Sequence, residues 1–425
     1  MNQRYPLNLS RIFTSSRSTL LILFLIEAVY LWFVLKGRII VFINAVFPIN
    51  PLFMLTKDLY YWSWPLFPGA EWYAGNFFYM LIIASFFQLF GLRTGLLQYF
   101  SLLISTFISS LGFFLLVRYL LNGISTSKIQ VNLSGLVAGF FYSLSPFYTL
   151  AFVSGLSSYI YSYTFYPLLL YFVFRYVTNK KRISPDLLYF TIISIIFGFG
   201  NTLGIPPVLW WELVLGLTLL IALYISKLYK IYLINLGIVF IILLISLVPF
   251  IPSYFTVIRS LGYEVTHSTF LGKSLVESAL ISSFPIMSLN NFGYLYYILD
   301  YSFSLYKVAE TYLLLIPSIT ILSSLLLIKE RRLLKFISIL LILMFVIVGG
   351  AAGVYNPIVL YEKFPNSVTA GIAYSFQFVF SLYPISFILT LLTGITFFSA
   401  LNKIKWKIAF EGLYVFIILF IMISV

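Results

Sequence analysis

The chain has 425 residues, of which 61% are hydrophobic and only 9% charged, with 26 Lys and Arg against 12 Asp and Glu. A water-soluble globular chain is ~45–50% apolar and ~25% charged, so lipid is the expected solvent for much of this surface. The absence of cysteine excludes disulfides and thiolate metal sites, and a single histidine, His267, leaves no His-based metal cluster. The formal charge of +14 is dispersed between apolar runs. That is unlike the basic patch nucleic-acid binding requires, and it points to loops lying against anionic headgroups.

Arg4, Arg11 and Arg17 precede a first apolar run at 19–35. The run continues through Trp32 to Leu35 with no small-x-small cleavage site after it, so it reads as a retained span and not a signal peptide. Further runs follow at 96–120, 132–152, 157–177, 186–204, 206–226, 231–252, 309–328, 334–354, 375–398 and 408–425. Each is close to the ~17–25 residues a helix needs to cross the hydrocarbon, and only helices satisfy their backbone groups locally in lipid. A shorter run, 76–91, follows a stretch crowded with Trp, Pro and Gly.

The basic residues vote on that run. With the N-terminus inside and 76–91 not crossing, Lys36, Arg38, Lys57, Arg93, Arg259, Lys273, Lys307 and Lys363 fall outside and all other Lys and Arg inside. Letting 76–91 cross inverts the split and violates the positive-inside rule. Twelve spans with the N-terminus outside restore the same count, changing only the side of the N-terminus and of residues 36–75. We adopt eleven transmembrane helices in an all-α integral membrane protein, N-terminus inside and C-terminus outside. It forms a single membrane domain over 1–425, multi-pass in the cell membrane. Two external loops stand out, about 36–95 with juxtamembrane helices and about 253–308, both far longer than an ordinary ~2–8-residue helix connection. The inner loops are short and basic, as in TNKKRIS (178–184) and KERR (329–332).

So few carboxylates can be weighed singly. Asp58 in LTKDLYYW and Glu71 in PGAEWY lie in the first loop, beside Trp62, Trp64 and Trp72. An acid there would serve as general base toward a sugar hydroxyl, with indole faces against the apolar side of the ring. The competing reading is an amphipathic helix over 50–62 lying in the headgroup belt. Glu27, near the middle of the first span, reads as a protonated or hydrogen-bonded structural group. Glu212 follows Trp210–Trp211 near the outer end of its span and reads equally as a structural group or as the lining of an external cavity. In the second loop Arg259 and Lys273 would hold a phosphate or pyrophosphate headgroup, or anchor the loop to lipid. His267 reads as a solvated loop residue. No metal site and no cofactor are expected.

The order of elements resembles the GT-C superfamily of membrane glycosyltransferases: first span, large external loop, six more spans, second large external loop. The segment FPINPLFMLTKDLYYWSWPL (47–66) is similar to the first-loop segment of prokaryotic members, and SGLVAGFFYSLSPFYTL (134–150) to their third span. The resemblance implies transfer of a sugar from a polyprenyl-phosphate-linked donor to a glycan or protein acceptor on the extracytoplasmic face. Asp58 and Glu71 would be catalytic, with Trp62, Trp64, Trp72, Glu212, Arg259 and Lys273 binding substrate. Where related sequences carry an acid before Phe47–Pro48, this chain has Asn44, Ala45 and Val46, and the turn 147–160 holds no carboxylate. Any activity is therefore expected to be metal-independent. Two rivals stay open: a non-catalytic GT-C-like subunit that binds a membrane protein partner, and a transporter or flippase of lipid-linked sugars. Membrane lipids are partners under every reading; nucleic acid is a partner under none.

Overall fold

A computed structural model of the chain describes residues 13–35, 52, 74–143, 157–201, 206–247, 325–351 and 378–401. Among them the fold is all-helical. Ten helices run in chain order: α1 (Ser16–Leu35), α2 (Ala74–Leu89), α3 (Thr94–Asn122), α4 (Lys128–Ser143), α5 (Ser157–Val177), α6 (Pro185–Asn201), α7 (Pro206–Ser226), α8 (Leu233–Leu247), α9 (Arg331–Ala351) and α10 (Phe378–Leu401). Each falls on an apolar run read from the sequence. The run at 408–425 and most of 309–328 lie outside the described residues.

Two of these helices are long and apolar enough to cross a membrane, over Gly95–Asn122 and Tyr383–Leu401. Shorter apolar helices cover Pro185–Gly198, Trp210–Ser226 and Leu233–Ser246. The eleven expected spans are thus met only in part. One reason is chemical: α5 carries an arginine in its last turn, an internal Pro167 and a run of tyrosines, and α9 opens on Arg331 and Arg332. Such residues dilute apolarity without preventing helix formation.

Helix α3 is the hub, packed against α1, α2, α4, α5 and α10. It can be, because its residues are small where neighbours come closest. A Cβ on Gly112 would stand 2.7 Å from the backbone nitrogen of Leu168 in α5. One on Gly139 of α4 would stand 2.7 Å from the carbonyl oxygen of Ser110 in α3. At both crossings backbone meets backbone, the packing mode of small-residue helix interfaces. Hydroxyls along α3 bond back to its own carbonyls: Ser105 donates to Ser101 O at 2.7 Å and Thr106 to Leu102 O at 3.0 Å. Ser109 donates to Thr106 O at 2.8 Å.

Helix directions follow from residue pairs. Trp32 meets Tyr99 edge-on at 5.7 Å and Phe24 meets Phe107 at 5.1 Å, so α1 runs antiparallel to α3. Tyr99 also donates to Ala28 O at 2.8 Å. Helix α2 reverses into α3 through a tight turn in which Gly91 takes φ of 76°, a left-handed conformation that glycine adopts at no steric cost. Phe87 then stacks on Phe100 at 4.8 Å. Both α1 and α2 therefore end where α3 begins. Leu52, from the segment between them, donates its N–H to Gln88 Oε1 at 2.9 Å at that same end.

The opposite end is tied together by side chains on backbone. Asn132 Nδ2 donates to Phe13 O at 2.7 Å, joining the start of α4 to the start of α1. Asn235 Nδ2 donates to Tyr176 O at 3.0 Å and Asn179 O at 2.8 Å, holding the start of α8 against the end of α5. Tyr229 bridges from the α7–α8 link to Tyr119 O in α3. Burial pushes the Tyr229 hydroxyl above the usual phenol range, so it stays a donor. Arg17, Arg118, Lys128, Arg175, Lys180, Lys181, Arg182, Lys227 and Lys230 all gather at this end, whereas Arg93 stands at the other. We call the two the basic end and the far end.

The outward faces of the peripheral helices are apolar. On α7, Trp211, Leu215 and Leu219 are buried, yet Leu213, Leu217, Ile221 and Tyr224 face outward, Leu217 60% exposed. On α8, Leu233, Ile234, Phe240, Ile241, Leu244 and Ile245 are exposed in turn. A surface helix in water pairs an apolar inner stripe with a polar outer one. These helices are apolar all round.

Candidate functional site

Toward the far end the core is built from phenols around one carboxylate. Pro167 interrupts α5 and has no N–H, so the carbonyl of Tyr163, four residues earlier, has no helical donor. Tyr142 of α4 fills the vacancy, donating to Tyr163 O at 2.9 Å. The exchange is reciprocal: Pro146, four residues after Tyr142, has no N–H to offer the Tyr142 carbonyl, and Tyr163 donates to Tyr142 O at 3.1 Å. The two rings stack at 3.9 Å with 6° between planes, and Phe113 of α3 stacks on the other face of the pair at 4.4 Å from Tyr142.

Glu212 enters this assembly from α7. Its side chain is 2% exposed, and Tyr383 of α10 donates to Oε1 at 3.0 Å. Tyr166 of α5 donates to the backbone carbonyl of Glu212. Tyr383 in turn packs edge-on against Tyr163 at 5.6 Å. The result is a latch joining α5, α7 and α10 through one acid and two phenols. A carboxylate so enclosed is supported by a charge-assisted hydrogen bond and by desolvated rings. It offers little room for a second ligand on the atoms described.

Of the site residues read from the sequence, Glu212 is thus placed, in the interior and bonded to Tyr383. Asp58, Glu71, Trp62, Trp64, Trp72, Arg259 and Lys273 lie outside the described residues, as does His267. Among the described residues no three of His, Cys, Asp and Glu come together as a metal would need.

Two further ionisable groups are buried elsewhere in the bundle. At the basic end Arg175 pairs with Asp186 at 2.8 Å, and Asn179 Nδ2 donates to the same carboxylate at 3.4 Å. This fixes the α5–α6 turn. At mid-depth, Glu27 of α1 is 1% exposed between α3 and α4, beside the hydroxyls of Ser110 and Ser143.

Sequence reasoning found Glu212 but missed its partners. Tyr383 is 171 residues away and sits in a run whose composition is ordinary for a span. The available signal was Pro167 within a tyrosine-rich run, since a proline in a helix always strands a carbonyl that something must satisfy. Comparison with protein-family models, with curated proteins and with solved structures finds no match.

Proposed function

We propose that the chain is a multi-pass membrane protein of GT-C type that transfers a sugar from a polyprenyl-phosphate-linked donor to an acceptor on the face at its far end. The membrane half of this reading is supported by the all-apolar outward faces of α7 and α8. Contiguous exposed apolar patches of this kind exceed what a water-soluble monomer carries, and lipid is the solvent they fit. The segregation of basic residues to one end supports that end as the cytoplasmic one. The antiparallel run of α1 against α3 has Arg17 at that same end, which favours the N-inside, eleven-span topology over the twelve-span one.

The observation that carries the functional half is that both long segments leave from one end. Helix α1 stops at Leu35 beside the start of α3; α8 starts at the basic end beside Val177, to which Tyr232 donates at 2.8 Å, and so reaches Leu247 at the far end. The segments bearing Asp58, Glu71 and the three tryptophans, and Arg259 and Lys273, therefore both start on the face where a lipid-linked sugar and its acceptor would meet. In this reading Asp58 takes the acceptor proton, the indoles support the sugar, and the two cations hold the leaving phosphate. The test is transfer of a radiolabelled sugar from a polyprenyl-phosphate donor by full-length protein in liposomes. Asp58→Asn is expected to lose at least about 100-fold in rate, within the range general-base removal costs, at unchanged protein level. An unaltered rate would remove Asp58 from the mechanism.

A second reading has one observation in its favour. Glu212, read from the sequence equally as a structural group or a cavity-lining one, is packed against Tyr383, Tyr166 and the stacked tyrosines. A filled far end suits a non-catalytic subunit. Absence of transfer by the purified chain, with co-purification of one stoichiometric membrane protein, would select that reading.

A further inference from the structure

Two peripheral helices, packed on different neighbours, carry the same outward pattern. On α1, which lies against α3 and α4, the exposed stripe reads Arg17, Leu21, Leu25, Val29, Trp32. On α7, which lies against α5, α9 and α10, it reads Trp210, Leu213, Leu217, Ile221, Tyr224, with Ile225 beside the last. Spacings of three and four residues keep each set on one face of its helix. Each stripe is three aliphatic side chains between two end groups of a kind that sits among lipid headgroups: an arginine, an indole or a phenol. Helix α1 starts at the basic end and α7 finishes there, so the two patterns are inverted in sequence and aligned in space. An indole marks the far-end level on both. At the other level Arg17 and Tyr224 are joined by Tyr189, exposed near the start of α6.

The height between the two levels follows from helix geometry. Arg17 and Trp32 are fifteen residues apart and Trp210 and Tyr224 fourteen, which at the helical rise gives ~22 Å and ~21 Å. An ordinary hydrocarbon core is ~30 Å thick. Helix tilt shortens the vertical projection further, so it widens the difference. Helix α8 agrees: its exposed apolar residues begin at Leu233, just after the exposed Lys230, and reach Ile245, a rise of ~18 Å. In a bilayer of ordinary thickness the indole N–H groups and the Arg17 guanidinium are drawn toward hydrocarbon, where they lose polar partners, or else the lipid thins around the protein. In a thinner one the end groups on both helices reach headgroups at once.

We infer that the lipid-facing band of this bundle is about 21–22 Å tall and that the lipids it fits have acyl chains shorter than those of a ~30 Å core. Trp32 and Trp210 mark its limit on the far side, and Arg17, Tyr189 and Tyr224 its limit on the basic side. The inference rests on the membrane half of the proposed function and is independent of sugar transfer.

The test is lipid competition at the protein surface, read by tryptophan fluorescence of the full-length chain in phosphatidylcholine vesicles. Monounsaturated lipids with chains of about 14, 18 or 22 carbons are each mixed with a dibrominated phosphatidylcholine that quenches tryptophan on contact. Trp32 and Trp210 report from the band's edge, and Leu217→Trp adds a reporter at its middle, measured as the difference from the wild type. The shortest lipid is expected to displace the quencher best, and the longest at least about threefold less well, the modest size that hydrophobic mismatch carries. Equal displacement by all three, or best displacement by either longer lipid, would overturn the inference and leave the membrane reading standing. No quenching of the Leu217→Trp reporter at any lipid composition would take α7 out of the bilayer and overturn both.

Discussion

The two ends of the bundle are fastened by different chemistry. At the basic end, amides and phenols reach from one helix to stray carbonyls of another: Asn132 to Phe13, Asn235 to Tyr176 and Asn179, Tyr229 to Tyr119. Toward the far end, stacked aromatic rings close around one acid, with Pro167 supplying the open carbonyl. Short connections such as Gly123–Ser127 and Asn179–Ser184 hold the basic end, so point-to-point bonds suffice there. The far end is where α1 and α8 finish, and among the described residues its helices are held by stacked and edge-on rings. A rigid platform at one end and a latch beside the long segments at the other is the arrangement expected of a scaffold that carries function on its loops.

That contrast can be broken experimentally. The largest effect is expected between the ends, at the α3–α5 crossing both depend on. Gly112→Val places a branched side chain where even a Cβ meets the Leu168 backbone at 2.7 Å, and backbone cannot give way as a side chain can. A loss of roughly 3 kcal/mol or more, the upper part of the range for overpacking, is expected as a collapsed melting temperature in detergent-solubilised protein. Retention of wild-type stability would mean the helices do not cross so closely.

Next comes Asn235→Leu, which removes two hydrogen bonds at the basic end, although Tyr176 O keeps the Asn179 N–H at 3.1 Å. It is expected to cost about 2–3 kcal/mol, against about 1 kcal/mol for one ordinary hydrogen bond, and to raise hydrogen exchange at the ends of α5 and α8 first. Smaller again is Tyr383→Phe, which deletes the hydroxyl on Glu212 while keeping the ring stack. We expect about 1.5–3 kcal/mol, the range for a bond to a charged group, with local loosening of α7 and α10. If Tyr383→Phe were neutral in stability yet abolished sugar transfer, Glu212 would be a working group and the latch reading would fall. The smallest effect is expected from Arg175→Gln, whose ion pair with Asp186 is 39% exposed on the arginine side, and a change under about 1 kcal/mol is the ordinary result for such pairs.

The helices were legible in the sequence because long apolar runs bounded by short polar connections mark where the chain can be helical. The run at 157–177 became Ser157–Val177 and that at 206–226 became Pro206–Ser226. The run at 132–152 is described only as far as Ser143, with α4 starting earlier, at Lys128. Charge counting could orient everything after Thr94 but could not place the N-terminus, because moving it changed no total. The ring pairs Trp32–Tyr99 and Phe24–Phe107 set α1 antiparallel to α3, and they are tertiary contacts with no sequence signature. The same limit applies to the site. A lone glutamate after two tryptophans is visible, but which phenol reaches it depends on how three helices pack. Glu27 shows the converse: sequence offers a structural acid in the first apolar run, and only the packing of α1 against α3 and α4 shows how completely it is buried.

The proposed transfer requires both long segments to open on the face opposite the basic end. The chain has no cysteine of its own, so single cysteines at Ser63 and Ser274 give an uncluttered test with a membrane-impermeant maleimide on intact cells and on inverted vesicles. We predict that both positions label from the outside of intact cells and that neither labels from the cytoplasmic side. Labelling of Ser63→Cys from inside and Ser274→Cys from outside would separate the two segments, and with them the shared face on which the proposed transfer depends.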